Sequence, residues 1–268
     1  MDKYREQRPT ICILLIGFIT TLLTLSANAL TRHDELNASW RNYASNRTST
    51  APAYQFPHAA CFRTAALQHG LPESLLLAVA RGESDFEETA RSRANAHGVM
   101  QILWPGTAKH LGIHRLSDLY DPCTNIDAGT RYLKELVGTY NGNLHLALAA
   151  YNYGPGRIPK SGDTIPDGAV WYSGYIYRHL DYVLGNSRTR APSPDTLYSD
   201  LGQSTLLTFG EPYRAEAFIQ SLEKRSPDLS LDWFRRATGE FEVVLTYASR
   251  EEFDNSSRQL GSAGFRLD

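Results

Sequence analysis

Cysteine is scarce in this 268-residue sequence, and its three cysteines form neither a CxxC pair nor any other spacing typical of metal sites. The sequence also lacks a glycine-rich phosphate loop and a GxSxG nucleophile elbow. It has no excess of basic residues, since its net charge is -2, and this argues against nucleic-acid binding. We therefore expect no cofactor and no metal. The 42% hydrophobic and 21% charged residues predict an ordinary globular chain.

One pair of histidines has a spacing that can bind zinc on a helix. His110 and His114 are four residues apart. Gly112 lies between them, however, and neither a third ligand nor an HExxH motif follows. We interpret both as surface histidines and keep a zinc pair as the less favoured alternative.

The amino-terminal segment has the features of a secretory signal peptide. Three basic residues precede an apolar run from Ile11 to Leu25, and Ala27-Asn28-Ala29 provides a small-x-small cleavage pattern. Cys12 lies at the start of the apolar run, which disfavours a lipoprotein anchor. Residues 1–29 are therefore predicted to be removed from a chain exported to the periplasm. An uncleaved membrane anchor is the alternative, although the run is shorter than the roughly 20 residues of a spanning helix.

Export gives the remaining cysteines a structural meaning. Cys12 leaves with the signal peptide, so Cys61 and Cys123 form an even pair in an oxidising compartment. We predict a disulfide between them, which would stabilise the fold by about 4 kcal/mol in the chain-entropy model. Two buried free thiols are the alternative.

The rest of the chain divides by composition into four parts. Residues 30–56 are polar and predict a flexible lead-in, 57–185 a helical domain, 186–203 a linker and 204–268 a small second domain. Within the helical domain, apolar residues at helical spacing predict helices and no strand. The predicted helices are Ala59–His69, Pro72–Ser84, Pro105–Leu111, Thr124–Tyr140, Asn143–Tyr151 and Tyr175–Leu184.

The second of these helices carries one acidic side chain on its buried face. Leu76, Val79 and Glu83 follow each other at spacings of three and four residues, which places Glu83 on the apolar stripe. Burial would raise the pKa of its carboxyl, and a carboxyl that stays protonated near neutral pH suits a general acid. A solvated or ion-paired glutamate is the alternative that position alone leaves open.

Three motifs follow in the order typical of one enzyme family: Glu83-Ser84, Gly98-Val99-Met100-Gln101 and Ala150-Tyr151-Asn152-Tyr153-Gly154. Through them the chain resembles, from Ala59 to Leu184, the lytic transglycosylases of the soluble-transglycosylase, goose-lysozyme-like family. The resemblance implies a mainly α, lysozyme-like catalytic domain that acts on peptidoglycan.

The resemblance also implies chemistry by a single acid. In this family the acid protonates the oxygen linking N-acetylmuramic acid to N-acetylglucosamine. Its carboxylate then accepts the proton of the muramic 6-hydroxyl, which gives a 1,6-anhydro product. We assign both steps to Glu83. A second carboxylate of the kind that glycosidases use is not evident, because Asp85 would face another side of the helix and Glu87 and Glu88 follow in a predicted loop.

The sequence also allows two alternative hypotheses. One is a goose-type muramidase, which would use water on the same fold. The other is a non-catalytic peptidoglycan-binding protein of a secretion or division complex.

Substrate-binding roles follow from the family motifs, at Ser84, Met100, Gln101, Tyr151, Asn152 and Tyr175. Ser84 is expected to bond near an acetamido group of the sugar. Met100 is expected to form an apolar wall of the groove, and Gln101 to bond sugar hydroxyls.

The remaining positions are expected to close the site. Tyr151 and Asn152 match the closing segment, where the Tyr151 hydroxyl could hold the Glu83 carboxyl. A Glu-Thr pair that precedes a later tyrosine in the family is missing from this sequence, and Tyr175 is assigned as the counterpart of that tyrosine.

Beyond the linker, strand-like and helix-like segments follow in the order βαββαβ, which predicts a small α+β, ferredoxin-like domain. The predicted strands are Thr205–Phe209, Asp228–Arg235, Phe241–Tyr247 and Gly264–Leu267, and the predicted helices are Tyr213–Lys224 and Ser249–Leu260.

This second domain resembles a SPOR domain in its segments Tyr247–Glu252 and Leu260–Phe265. The resemblance implies binding to glycan strands stripped of their stem peptides. The turn Gly210–Tyr213 departs from the Gly-Ser-Phe-like turn of that family. A domain that only packs or contacts a protein partner is the alternative, since a fold alone does not give a function.

Overall fold

A computed structural model describes residues 32–46, 51–162, 164–186, 201–236 and 239–265. The described chain is mainly helical, as predicted, and a three-stranded sheet lies near its carboxyl end. Within these ranges, each helix is too short or too polar to span a bilayer. The predicted signal peptide, residues 1–29, lies outside the described residues.

The helices account for most of the ordered backbone. They are α1 (residues 32–45), α2 (Ala59–His69), α3 (Glu73–Ser84), α4 (Gly106–His110), α5 (Pro122–Thr139), α6 (Leu144–Tyr153), α7 (Asp167–Val183), α8 (Pro212–Glu223) and α9 (Arg250–Ser262). The two-residue strands β1 (Ala96–His97) and β2 (Ile102–Leu103) pair as a small antiparallel hairpin that the sequence did not predict. The carboxyl-terminal sheet contains β3 (Gly202–Phe209), β4 (Leu231–Arg235) and β5 (Phe241–Tyr247).

The prediction of a flexible lead-in was wrong for residues 32–46, which include helix α1. Trp40 is buried against the edge of Tyr177, with ring centroids 5.0 Å apart. The hydroxyls of Tyr43 and Ser74 are 2.8 Å apart, which connects α1 to α3. Leu36, Trp40 and Tyr43 recur at helical spacing and form an apolar stripe on α1. The many polar residues between them led to the prediction of a flexible segment.

Helix α7 begins at Asp167, eight residues before the predicted start at Tyr175. Pro166 precedes it with a non-helical backbone, φ -57° and ψ 139°, as is usual for a residue that flanks a helix start. The longer helix carries Trp171 and Tyr172 as well as Tyr175. This correction decides which tyrosine reaches Glu83.

Helix α3 lies in the core and is buried from Ser74 to Gly82. Its contact with α7 is close because Gly82 has no side chain: a Cβ at position 82 would lie 2.6 Å from Ile176 Cδ1 of α7. The small residue therefore lets α7 approach the end of α3, next to Glu83.

Cys61 and Cys123 meet between α2 and α5. The Sγ atoms of Cys61 and Cys123 lie at bonding distance, and the Cα atoms are 5.0 Å apart although 62 residues separate them in the sequence. Such a bond would close a long loop and stabilise the fold by about 4 kcal/mol. Its formation in the protein remains a prediction.

The carboxyl-terminal sheet has the antiparallel order β3-β5-β4. With α8 and α9 the described order is βαββα, and residues 266 and 267 of the last predicted strand lie outside the described residues. Strand β3 begins at Gly202, inside the predicted linker, whose residues 187–200 also lie outside the described residues.

The sheet packs on the helical domain through its edge strand β4. Asp232, 3% exposed, accepts a hydrogen bond of 2.5 Å from Arg81 of α3 and forms an ion pair with Arg178 of α7. Burial by itself raises the pKa of Asp232, but Arg178 and Arg81 hold it at about 2. Arg178 also donates to the Trp233 carbonyl at 2.5 Å, so α7 covers the edge of the strand.

Candidate active site

A cleft of about 730 Å³ opens at the carboxyl end of α3. The β1–β2 hairpin, the end of α6, helix α7 and the end of β4 contribute to its walls. Among the described residues that line the cleft, Glu83 is the only carboxylate. Four of the lining residues are arginines, at positions 93, 157, 235 and 236. The described lining of the cleft is thus basic apart from this one acid.

Glu83 lies in the last turn of α3, beside α7. Burial raises the pKa of its carboxyl to about 7, while the hydrogen bond from Tyr172 and the charge of Arg235 act in the opposite direction. The desolvation is therefore stronger than both stabilising contacts together. Near neutral pH the group exists in both protonation states, so it can donate a proton and accept one.

The hydrogen-bond partner of Glu83 is Tyr172, which the sequence analysis did not select. Its buried hydroxyl donates to Glu83 Oε1. The two tyrosines that were selected bond elsewhere: the Tyr151 hydroxyl donates to the Met100 carbonyl at 2.8 Å, and the Tyr175 hydroxyl accepts from the Arg235 backbone N–H at 3.0 Å. Tyr151 and Tyr175 still line the cleft.

Ser84 supports the neighbouring motif and does not line the cleft. Its hydroxyl donates to the Val99 carbonyl at 2.8 Å. The bond connects the end of α3 to the Gly98–Gln101 turn. The predicted contact between Ser84 and an acetamido group thus has no support in the geometry, whereas a positioning role has.

A second support of this turn was missed in the sequence. The buried Asn125 side chain accepts from Met100 N at 2.7 Å and donates to the carbonyls of His97 and Leu119, both at 2.9 Å. Gly98 adopts φ +75°, and a Cβ there would lie 2.3 Å from the Leu119 carbonyl oxygen. The contacts with His97 and Met100 span 28 and 25 residues, so spacing in the sequence offered no signal for Asn125.

The two groove residues of the turn differ in position. Met100 is fully buried against Gly129 of α5, where a Cβ would lie 2.5 Å from Met100 Cβ, so it packs beneath the cleft and forms no wall. Gln101 lines the cleft, and its amide nitrogen donates to the Gly98 carbonyl at 2.9 Å. Asn152, at the end of α6, is exposed and also lines the cleft.

The other acidic residues near α3 have partners outside the cleft. Asp85 accepts from Gln203 at 3.0 Å, Glu87 accepts from Thr89, and Glu88 lies 3.5 Å from His58. None of the three lines the cleft.

The histidine pair considered for zinc also has another explanation. His110 is exposed and lies 2.7 Å from Glu135, and His114 is exposed. No group of three or more histidine, cysteine or acidic side chains among the described residues could hold a metal ion.

The contact between Tyr172 and Glu83 predicts a measurable pKa change. Tyr172→Phe keeps the buried ring and removes a hydrogen bond that stabilises the Glu83 carboxylate, so the pKa of Glu83 should rise above its value of about 7. An NMR titration of the Glu83 side-chain carboxyl measures this pKa. Tyr151→Phe is the matched control and should leave it unchanged, because the Tyr151 hydroxyl donates to Met100. An unchanged or lower pKa in Tyr172→Phe would contradict the assignment.

Comparison with known proteins gives a family match to a segment that contains part of the cleft lining. Residues 60–169 match the family model described as Transglycosylase SLT domain. The matched segment contains Glu83, the Gly98–Gln101 turn and the end of α6. The match supports a relation of the helical domain to the soluble-transglycosylase family, and it does not extend to residues 204–268.

Curated relatives share parts of the chain. The soluble lytic murein transglycosylase of Escherichia coli is 40% identical over 95 residues, which cover 33% of this chain and 15% of that protein. The membrane-bound lytic murein transglycosylase C of Haemophilus influenzae is 34% identical over 148 residues, which cover 48% of this chain and 41% of that protein. The chain thus spans less than half the length of these relatives.

Among solved structures, the chain is similar to the 70 kDa soluble lytic transglycosylase of Escherichia coli. The similarity has a TM-score of 0.41 at 31% identity and covers 47% of this chain and 24% of that one.

Proposed function

We propose that the protein is a peptidoglycan lytic transglycosylase that cleaves the β-1,4 bond between N-acetylmuramic acid and N-acetylglucosamine. One observation carries the proposal: Glu83 is the only carboxylate among the described residues of the cleft, and burial raises its pKa to about 7. A general acid works best when its pKa lies near the operating pH. The SLT match of residues 60–169 and the relatives named lytic murein transglycosylase support the same reaction class.

Glu83 performs two proton transfers in the proposed reaction. The protonated carboxyl gives its proton to the glycosidic oxygen while the bond from that oxygen to the anomeric carbon breaks. The resulting carboxylate takes the proton of the muramic 6-hydroxyl, and the oxygen of this hydroxyl bonds to the anomeric carbon. The products are a free 4-hydroxyl on N-acetylglucosamine and a 1,6-anhydromuramic end, and Glu83 is again protonated. No water is consumed.

Tyr172 favours the first of these transfers. Its hydroxyl donates to Glu83 and stabilises the carboxylate that is left when the proton has been given up. The buried site favours the protonated form, so the two effects keep both states of the carboxyl accessible. Tyr172 therefore takes the role that the sequence analysis gave to Tyr151.

The polar cleft residues bind the sugar in this proposal. Gln101 and Asn152 present amide groups to hydroxyl and acetamido groups, and the ring of Tyr151 lies beside them. Ser84 and Met100 act from behind the surface, through the Val99 carbonyl and through packing on Gly129. The predicted export to the periplasm would bring this cleft to the cell wall.

A goose-type muramidase is the nearest enzymatic rival. A hydrolase of this kind normally needs a second carboxylate to activate water or to form a covalent intermediate. The described cleft offers none besides Glu83, since Asp85, Glu87 and Glu88 do not line it. This favours an internal nucleophile from the substrate.

The products distinguish a transglycosylase, a muramidase and a non-catalytic binding protein. Purified sacculi are digested in water enriched in oxygen-18, and the released muropeptides are examined by mass spectrometry. The transglycosylase predicts 1,6-anhydromuramic ends that contain no oxygen-18. Reducing ends that contain the label would show a muramidase, and the absence of soluble products at any enzyme concentration would favour a binding protein.

The assignment of residues 204–268 as a glycan-binding SPOR-like domain also remains a proposal. Its support is the pair of short motifs together with the described order βαββα, which fits the first five elements of βαββαβ.

A further inference from the structure

The basic wall of the cleft comes from two parts of the chain. Arg93 and Arg157 belong to the helical domain, whereas Arg235 and Arg236 follow each other at the end of β4 in the carboxyl-terminal sheet. Arg236 is ion-paired with Glu242 of β5. Arg235 is exposed and forms no ion pair or side-chain hydrogen bond with any residue in the described ranges. Its guanidinium is therefore available to a ligand.

The backbone of Arg235 is fixed where it enters the cleft. Its N–H donates to the Tyr175 hydroxyl at 3.0 Å. The Tyr175 ring stacks on Trp171 of the same helix and on Trp233 of β4, at centroid distances of 5.1 and 5.3 Å. Three residues before Arg235, Asp232 is buried in its contacts with Arg81 and Arg178. A residue held in this way meets a ligand with little loss of backbone freedom.

We propose that Arg235 binds a carboxylate of the glycan strand, so that the carboxyl-terminal sheet forms part of the substrate-binding cleft. The inference rests on the proposed function, because it takes the occupant of the cleft to be peptidoglycan. Each muramic acid residue carries a lactyl group whose carboxyl is either free or extended by a stem peptide with carboxylates of its own. A guanidinium suits this group, because its planar fork of donors matches the two oxygens of a carboxylate.

The charge of Arg235 also affects the pKa of Glu83, so a ligand on Arg235 would change that pKa. In the free protein Arg235 lowers the pKa of Glu83, in opposition to burial. A substrate carboxylate on Arg235 would neutralise that charge and exclude water from the cleft. Both changes favour the protonated form of Glu83, so the acid would gain its proton when substrate is bound.

Binding to a catalytically inactive chain tests the proposal. In the full chain with Glu83→Gln, calorimetric Kd values are measured for three probes. They are a tetrasaccharide of alternating N-acetylglucosamine and N-acetylmuramic acid with free lactyl carboxylates, the same tetrasaccharide with lactyl carboxamides, and one bearing stem peptides. Adding Arg235→Gln should weaken binding of the free-carboxylate probe about fivefold and leave the carboxamide probe unchanged. Arg225→Gln is the control for loss of one positive charge, since Arg225 is an exposed arginine after α8 that does not line the cleft.

Each pattern of Kd changes either supports the proposed contact of Arg235 or overturns it. A loss confined to the free-carboxylate probe identifies the lactyl carboxylate, and a loss confined to the peptide-bearing probe identifies the stem peptide. Arg235→Lys should retain part of the affinity in either case, because it keeps the charge without the fork. If Arg235→Gln changes none of the three Kd values while all probes bind, the inference fails and the proposed function stands. If none of the probes binds to the Glu83→Gln chain, both fail.

Discussion

Glu83→Gln is expected to lower the rate of glycan cleavage by at least about 10³-fold, because one residue supplies both the acid and the base. Glutamine keeps the size of the side chain and can still accept the hydrogen bond of Tyr172, so the cleft should stay intact. Release of soluble muropeptides from sacculi measures the rate. Glu87→Gln is the matched control, since Glu87 lies four residues further on, is exposed and accepts from Thr89. Cleavage at a rate close to that of the unaltered chain would disprove the role of Glu83.

Thermal unfolding of the same variant shows whether the acid is buried as described. The folded pKa of Glu83, about 7, lies above its ordinary value, so folding binds a proton between the two values. The free energy of unfolding of the unaltered chain should therefore fall as the pH rises through about 7. Glu83→Gln removes this dependence and should be the more stable form on the alkaline side. Equal slopes for both proteins would contradict a buried carboxyl.

Asp232→Asn is expected to lower the free energy of unfolding by about 3 kcal/mol or more, because breaking a buried ion pair leaves charge without compensation. Asp232 is 3% exposed and its partner Arg81 only 1%. Arg81 lies two residues before Glu83 on α3, so the loss should also disturb the position of the acid. Urea denaturation at neutral pH measures the stability, and muropeptide release measures the second effect.

Two further variants separate this effect from a general loss of charge. Arg178→Gln should cost only about 1 kcal/mol, because Arg178 is one-third exposed and Asp232 keeps Arg81. Asp228→Asn, at an exposed position three residues before β4, should leave the stability almost unchanged. Equal losses of unfolding free energy in all three variants would mean that the ion pairs of Asp232 do not hold the sheet on the helices.

Much of the helical domain was predictable because its helices have clear apolar stripes and turn signals. Leu76 and Val79 placed Glu83 on the buried side of α3, and the motif at Gly98–Gln101 indicated the opposite wall. These are local patterns, in which spacing along the sequence determines which side chains share a face.

The tyrosine that bonds Glu83 was missed for a local reason. The helix was predicted from Tyr175 onward, because the apolar and aromatic run before it shows no clear period. The pair Pro166-Asp167 was an available signal, since an extended proline followed by an acidic residue often precedes a helix. A start at Asp167 would have placed Tyr172 and Tyr175 on one face and made both candidates.

The role of β4 was missed for a different reason. The sequence predicted a strand at Asp228–Arg235, and β4 begins three residues later, at Leu231. The partners of Asp232 in this strand, Arg81 and Arg178, are 151 and 54 residues away in the chain. No spacing rule connects residues so far apart. The SPOR resemblance further suggested a separate domain on a linker, whereas the described sheet packs on α7 and contributes Arg235 to the cleft.

The ion pairs among Arg81, Arg178 and Asp232 lead us to expect that the two parts of the chain evolve together. A buried arginine at position 81 would destabilise the fold of a protein that lacks the aspartate of β4, because its charge would have no partner. Lineages without this sheet should therefore have an uncharged residue there. Lineages that exchange the sheet for an unrelated one should change all three positions together. The carboxyl-terminal part is therefore expected to be inherited with its helical partner and not shuffled as an independent module.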